Sequence, residues 1–238
     1  MLVATGFWIA GATGQTVVMA VDYNDDDADQ TPTESGFTAG VTGELNVITS
    51  INGIQATAIT WNASNGRDRT GSLGSGAASH DFFRDMVVNL VPNGVTGDVN
   101  TAPAQDMLTF TGLTPNTDYT IQLWSYDAQF NNNTDSYWWN TTAGTGANAT
   151  YLGTITNFSS GNEPTKLDDY SFTTGVTSSE LGELKFGLVV EAGSGQLNGF
   201  KLSTVSGSAV PEPGSFALLL SLGTLGFVSM RRRGNRIV

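Results

Sequence analysis

The sequence predicts an all-β chain: an antiparallel β-sandwich of the jelly-roll kind, followed by a single C-terminal transmembrane helix. Three observations predict it. Apolar residues in the body recur with period two rather than 3.6. Only 13% of the 238 residues are charged while 29 are glycine, and Thr, Ser and Asn fill the polar positions, which suits strands and turns better than helices. Near the C-terminus an uncharged apolar run stands directly ahead of an arginine cluster.

Residues 1–20 are apolar and uncharged, which reads as a signal-peptide remnant without its positive n-region. Ala10-Gly11-Ala12 is the preferred small-residue cleavage site and Val18-Met19-Ala20 the second choice, so the remnant covers 1–12, or extends to 20. The sandwich domain then occupies 13–209, and residues 16–23 open it as a strand. Further strands are expected at 45–51, 54–61, 85–91, 107–111, 149–158, 170–173 and 197–204. The clearest alternation sets Leu184, Phe186, Leu188 and Val190 against Lys185, Gly187, Val189 and Glu191. A second sets Tyr119, Ile121 and Leu123 against Thr120, Gln122 and Trp124. About ten short strands with turn clusters between them, no fixed repeat and no proline-rich linker give one sandwich domain.

Leu113-Thr114-Pro115-Asn116-Thr117-Asp118-Tyr119 has the Leu-x-Pro-x-Thr-x-Tyr form of a tyrosine corner and resembles fibronectin type III modules, although the domain here is longer than one such module. A second resemblance is to galactose-binding-like jelly rolls. It rests on Leu197-Asn198-Gly199-Phe200-Lys201-Leu202 after a Gly-rich turn and on Arg84-Asp85 entering a β run. That resemblance implies a sandwich fold and leans toward sugar binding.

From Gly214 to Met230 no residue is charged. As a helix this run spans about 26 Å at roughly 1.5 Å per residue, the short end of a membrane crossing. Arg231, Arg232 and Arg233 follow at once and hold that end in the cytoplasm, so the body lies on the far side. Ahead of the span, Val210-Pro211-Glu212-Pro213 is rigid, extended and exposed, a segment that a processing enzyme can read. Pro-Glu-Pro, a short apolar span and terminal arginines, in that order over residues 210–238, resemble the PEP-CTERM sorting signal. The resemblance implies an exosortase as partner and an inner-membrane-anchored precursor. It also implies cleavage near the motif and delivery to the cell surface or the extracellular space.

Charge and composition exclude several functions. Four of the ten basic residues but only one of the 22 acidic ones lie beyond residue 210, which leaves residues 1–210 at a net −15. Such a body repels phosphate backbones, so nucleic acid is not a partner. With no cysteine there is no disulfide, thiolate metal site or thiol catalysis, and the single histidine, His80, cannot build a His-rich metal centre. Ser79-His80-Asp81 is not a catalytic triad, because neighbours on an extended chain point to opposite faces.

Two clusters remain as candidate sites. Asp25, Asp27 and Asp29 offer hard oxygens for calcium, but Gln30 and Gly36 stand where an EF-hand needs its glycine and its glutamate, so a solvated acidic loop competes with a metal site. Trp124, Tyr126, Tyr137, Trp138 and Trp139 stand among Asn131, Asn132, Asn133 and Asp135. Aromatic faces stack on sugar C–H surfaces while amides bond hydroxyls, so this region is a candidate glycan platform; burial in the sandwich is the competing account. Of adjacent Trp138 and Trp139, at most one is expected to face a ligand. The expectation is therefore an exported, non-enzymatic structural or adhesive protein with no cofactor beyond a candidate calcium ion. The alternative is a carbohydrate-binding module for matrix polysaccharide.

Overall fold

The computed structural model describes residues 15–24, 33–41, 46–59, 66–68, 82–83, 85–88, 96–127, 133–158 and 162–205. The sorting signal at 210–238 with its apolar span 214–230, the Asp25, Asp27 and Asp29 cluster and the Ser79-His80-Asp81 run lie outside the described residues. Among the described residues no helix is long and apolar enough to cross a membrane.

Gln15–Thr204 forms one compact unit. Its strands are β1 (Thr16–Asn24), β2 (Thr38–Val41), β3 (Asn46–Ile51), β4 (Ile54–Ile59), β5 (Gly66–Asp68), β6 (Asp85–Val88) and β7 (Leu108–Thr111). They continue as β8 (Asp118–Trp124), β9 (Ser136–Asn140), β10 (Thr150–Ile155), β11 (Ser171–Thr177), β12 (Leu184–Val190), β13 (Gln196–Leu197) and β14 (Gly199–Thr204). A five-stranded sheet in the order β11-β8-β14-β1-β2 faces a six-stranded sheet in the order β10-β9-β12-β7-β4-β3, and β13-β6-β5 forms a small third sheet. The all-β sandwich read from the period-two pattern is what forms.

The alternation explains the core. On β8, Tyr119, Ile121 and Leu123 point inward, in register with Leu202 and Phe200 of β14. From the facing sheet come Phe110, Phe186, Leu188 and Trp138. Phe110 and Phe200 meet between the sheets edge to face, with centroids 4.9 Å apart and planes at 87°. Burying each such side chain contributes about 1.5–3 kcal/mol, and together these contacts fix which face of each sheet turns inward.

Two features depart from the expected pattern. One pair, β1 with β2, is parallel, with Val21 opposite Thr38 and Asn24 opposite Val41. Parallel neighbours need a crossover of about a dozen residues, and the chain between Asn24 and Thr38 has that length. The second is β9, which falls outside the strands expected from the sequence. Ser136-Tyr137-Trp138-Trp139-Asn140 shows no alternation of polarity because both faces of the sheet are covered there. Trp138 faces the core, while Trp139 lies on the outer face in register with Gly187. A Cβ on Gly187 would come within 2.4 Å of Pro103, so the 96–106 segment lies directly over this part of the sheet.

Candidate functional site

The aromatic residues of the expected glycan platform do not form one surface. Trp124 and Tyr126 are buried in a second cluster with Phe82 and Phe83, outside the main core. Trp124 Nε1 donates to the Leu167 carbonyl at 2.6 Å, and its ring meets Phe82 and Phe37 edge-on at 5.2 and 5.7 Å. Trp138 is fully buried in the main core and Trp139 is only 8% exposed. Stacking on a sugar by Trp124, Tyr126, Trp138 or Trp139 is therefore corrected to packing. Trp124 sits where loop residues close over the end of β8, and the two tryptophans of β9 fill opposite faces of their sheet, Trp138 in the core and Trp139 on the outer face.

What reaches solvent is a tyrosine pair. Tyr137 is half-buried on the outer face of β9, and Tyr151 on the edge strand β10 is 37% exposed. Tyr151 leans edge-on against Trp139, with centroids 5.4 Å apart. A register shift between Tyr151 and Gly153 places Tyr151 and Thr154 on the same outer face, where their hydroxyls are hydrogen-bonded and Thr154 stands opposite Tyr137. Desolvation, and then the nearby Asp135, Glu191 and Asp98, push the Tyr137 phenol up from its ordinary value. Tyr151 was not among the sequence candidates; its signal was a lone exposed aromatic on an edge strand.

Beside this pair the sandwich edge opens into a groove of about 380 Å³. One wall is the end of β10 and its turn, with Thr154, Thr156 and Asn157; the other is the 162–171 segment, with Asn162, Glu163 and Asp169. The second wall is held in three ways. Tyr126 and Tyr170 both donate their hydroxyls to the Asn162 carbonyl, at 2.7 and 2.8 Å, and their rings lie 4.4 Å apart. Asp169 Oδ2 accepts from the Thr165 amide and hydroxyl, each at 2.7 Å, and from the Lys166 amide at 3.1 Å. The bond from the Thr165 hydroxyl, followed by that from its amide, holds the Asp169 carboxyl below the usual carboxylate range. The Trp124 bond to Leu167 anchors the middle of the segment.

Behind the first wall, the Asn157 amide donates to Asp135 Oδ1 at 2.9 Å. Asn157 and Tyr170 both have left-handed backbone, at φ 53° and 51°, and among the described non-glycine residues with positive φ Tyr170 alone is not an asparagine. An aromatic residue in that region is strained, so the surrounding bonds impose its conformation. Among the described residues no group of three or more His, Cys, Asp or Glu side chains is arranged to hold a metal ion.

Residues 209–233 match the PEP-CTERM protein-sorting motif, so the chain carries that motif over the stretch containing Val210, Pro211, Glu212, Pro213 and the arginines at 231–233. No curated protein matches the chain in sequence. Among solved structures, the β-glucuronidase of Bacteroides uniformis is 12% identical, with a TM-score of 0.34, over 79% of this chain and 18% of that one. The chain therefore spans about a fifth of that enzyme's length. The carbohydrate-binding module of Cellvibrio mixtus lichenase 5A, solved with cellotriose, is 15% identical with a TM-score of 0.27, over 79% of this chain and 98% of the module.

Proposed function

We propose that this chain is exported, handed by its PEP-CTERM motif to an exosortase, and released to the cell surface or extracellular matrix, where it acts by contact and not by catalysis. The observation that carries the reading is the motif match at 209–233. The apolar run 214–230 would hold the precursor in the membrane, with Arg231, Arg232 and Arg233 keeping its end cytoplasmic. Pro211 and Pro213 would disfavour a helix in the recognition segment. The processing test is direct: with Pro211, Glu212 and Pro213 all changed to alanine, the native host should accumulate a membrane-held precursor. Normal cleavage and release of that variant would overturn the proposal.

A second reading, contact with matrix polysaccharide, is supported by the exposed Tyr151 beside half-buried Tyr137. One stacked ring contributes about 0.5–1.5 kcal/mol, so binding by a single copy is weak and retention depends on many copies on one surface. A body at net −15 favours neutral polymers over anionic ones. Retention on the host's own matrix polysaccharide tests this reading, and absence of retention by the wild type removes it. A calcium ion held by Asp25, Asp27 and Asp29 belongs to the same proposal; it requires that chelation lower the melting temperature.

A further inference from the structure

We infer that the groove between the end of β10 and the 162–171 segment is a binding site for neutral sugars, with Tyr151 as the stacking surface at its mouth. The inference rests on the polysaccharide-contact reading and narrows it to one place and one ligand class.

Four observations converge on this groove. Its volume, about 380 Å³, lies in the range of small-ligand sites and accommodates a short stretch of a sugar chain. Its walls carry what a sugar hydroxyl pairs with: the hydroxyls of Thr154 and Thr156, the amides of Asn157 and Asn162, and the carboxylates of Glu163 and Asp169. The wall is built in advance. Asn162 is held through its carbonyl by two tyrosine hydroxyls, and Asp169 closes the Thr165–Lys166 turn. A preformed wall avoids the ordering cost that otherwise weakens carbohydrate affinity. Finally, the strained backbone of Tyr170 lies in the lining. Strain of this kind persists where the surroundings over-determine it, and binding surfaces are where it collects.

The aromatic surface meets the groove at Thr154. Thr154 lines the groove, bonds the Tyr151 hydroxyl and stands opposite Tyr137, so a sugar seated in the groove has an exposed ring beside it. Charge then selects among sugars. Glu163 and Asp169 line the groove, Asp168 adjoins Asp169, and Asp135 stands behind Asn157, with Lys166 the one basic residue in the second wall. Carboxylates accept hydrogen bonds from neutral sugar hydroxyls and repel uronate or sulfate groups, so the ligand class is neutral hexose polymer.

The test uses the full chain in detergent micelles, titrated calorimetrically with cellohexaose, maltohexaose and an oligogalacturonate of the same length. One of the neutral probes should bind in the millimolar range and the uronate should not. Tyr151→Ala should weaken binding about three- to tenfold, the loss of one stacked ring. Thr156→Arg, at an exposed lining position, should abolish it; Ile48→Arg, on the distant edge strand β3 and 57% exposed, should leave it unchanged. Melting curves confirm that each variant is folded. The inference is overturned if neither neutral probe binds, if the uronate binds equally well, or if Thr156→Arg behaves like Ile48→Arg.

Retention on the host's matrix polysaccharide, measured in parallel, separates this inference from the broader reading. Wild-type retention that persists in Thr156→Arg sinks the groove and leaves surface contact standing. Hexasaccharide binding without matrix retention keeps the groove and removes the matrix as its target.

Discussion

The hydroxyl of Tyr119 accepts a hydrogen bond from the amide of Thr114 across 3.1 Å, five residues back along the chain. The bond closes the turn between β7 and β8, with Leu113 and Tyr119 both buried beneath it and the Thr117 hydroxyl donating to the Pro115 carbonyl at 3.0 Å. Tyr119→Phe keeps the ring in the core and strands the amide. It should cost about 1–2 kcal/mol, read as a lower urea midpoint at unchanged slope. An unchanged midpoint would mean that the turn is held by packing alone.

Trp124 joins the end of β8 to the 162–171 segment through its indole nitrogen. Trp124→Phe removes that bond but keeps most of the ring packing against Phe37 and Phe82, so a loss of about 1–2 kcal/mol is expected. Trp124→Ala opens a cavity as well and should cost about 3–5 kcal/mol. Unchanged stability in Trp124→Phe would show that the hydrogen bond contributes nothing.

Gly187 breaks the apolar pattern of β12 because Pro103 lies against it. A methyl at that position would lie 2.4 Å from Pro103 Cγ and 3.0 Å from the Gln105 carbonyl. Gly187→Ala should lift the 96–106 segment, cost about 1–3 kcal/mol and let water reach Trp139, its cross-strand neighbour. A red-shifted tryptophan emission and greater acrylamide quenching are the signals to look for; native fluorescence with native stability would contradict the close packing.

Burial pushes the phenols of Tyr23 and Tyr126 above their ordinary value near 10. A group whose pKa is raised by folding contributes stability that is complete below the unfolded pKa and is lost as pH rises toward the folded one. Stability should therefore be level up to about pH 10 and fall steeply above it, with Tyr126→Phe falling less steeply. Phenolate absorbance followed through the titration would count against this if all the tyrosines ionised together near pH 10 while the fold was intact.

Much of the sandwich was legible in the sequence because one-sided burial writes itself as alternation. β8 reads clearly for that reason, as does β7, whose positions alternate between buried and half-buried. The corner at Tyr119 was legible because a side chain and a turn five residues apart have to be specified together. β9 was not legible: with Pro103 and its neighbours over one face and the core under the other, its two tryptophans carry no polarity signal. The candidate groove was hidden for another reason. Its walls come from a strand end and a turn-rich segment whose residues look like any polar loop, and only the fold brings Thr156 and Asp169 to one opening. The tryptophans drew notice in the sequence by size, but size buries them.

The last strand of the body, β14, is flanked on both sides, by β8 and by β1, with Thr16 paired to Thr204 at its end. The segment that leads on to the sorting motif therefore leaves from the middle of a sheet and not from its edge. Were the protein tethered through that segment, tension from flow or from a neighbouring cell would load β14 along its length, and the two ladders would resist together in shear. An edge strand could be peeled away one bond at a time. A tether through an interior strand would then hold until both ladders failed together.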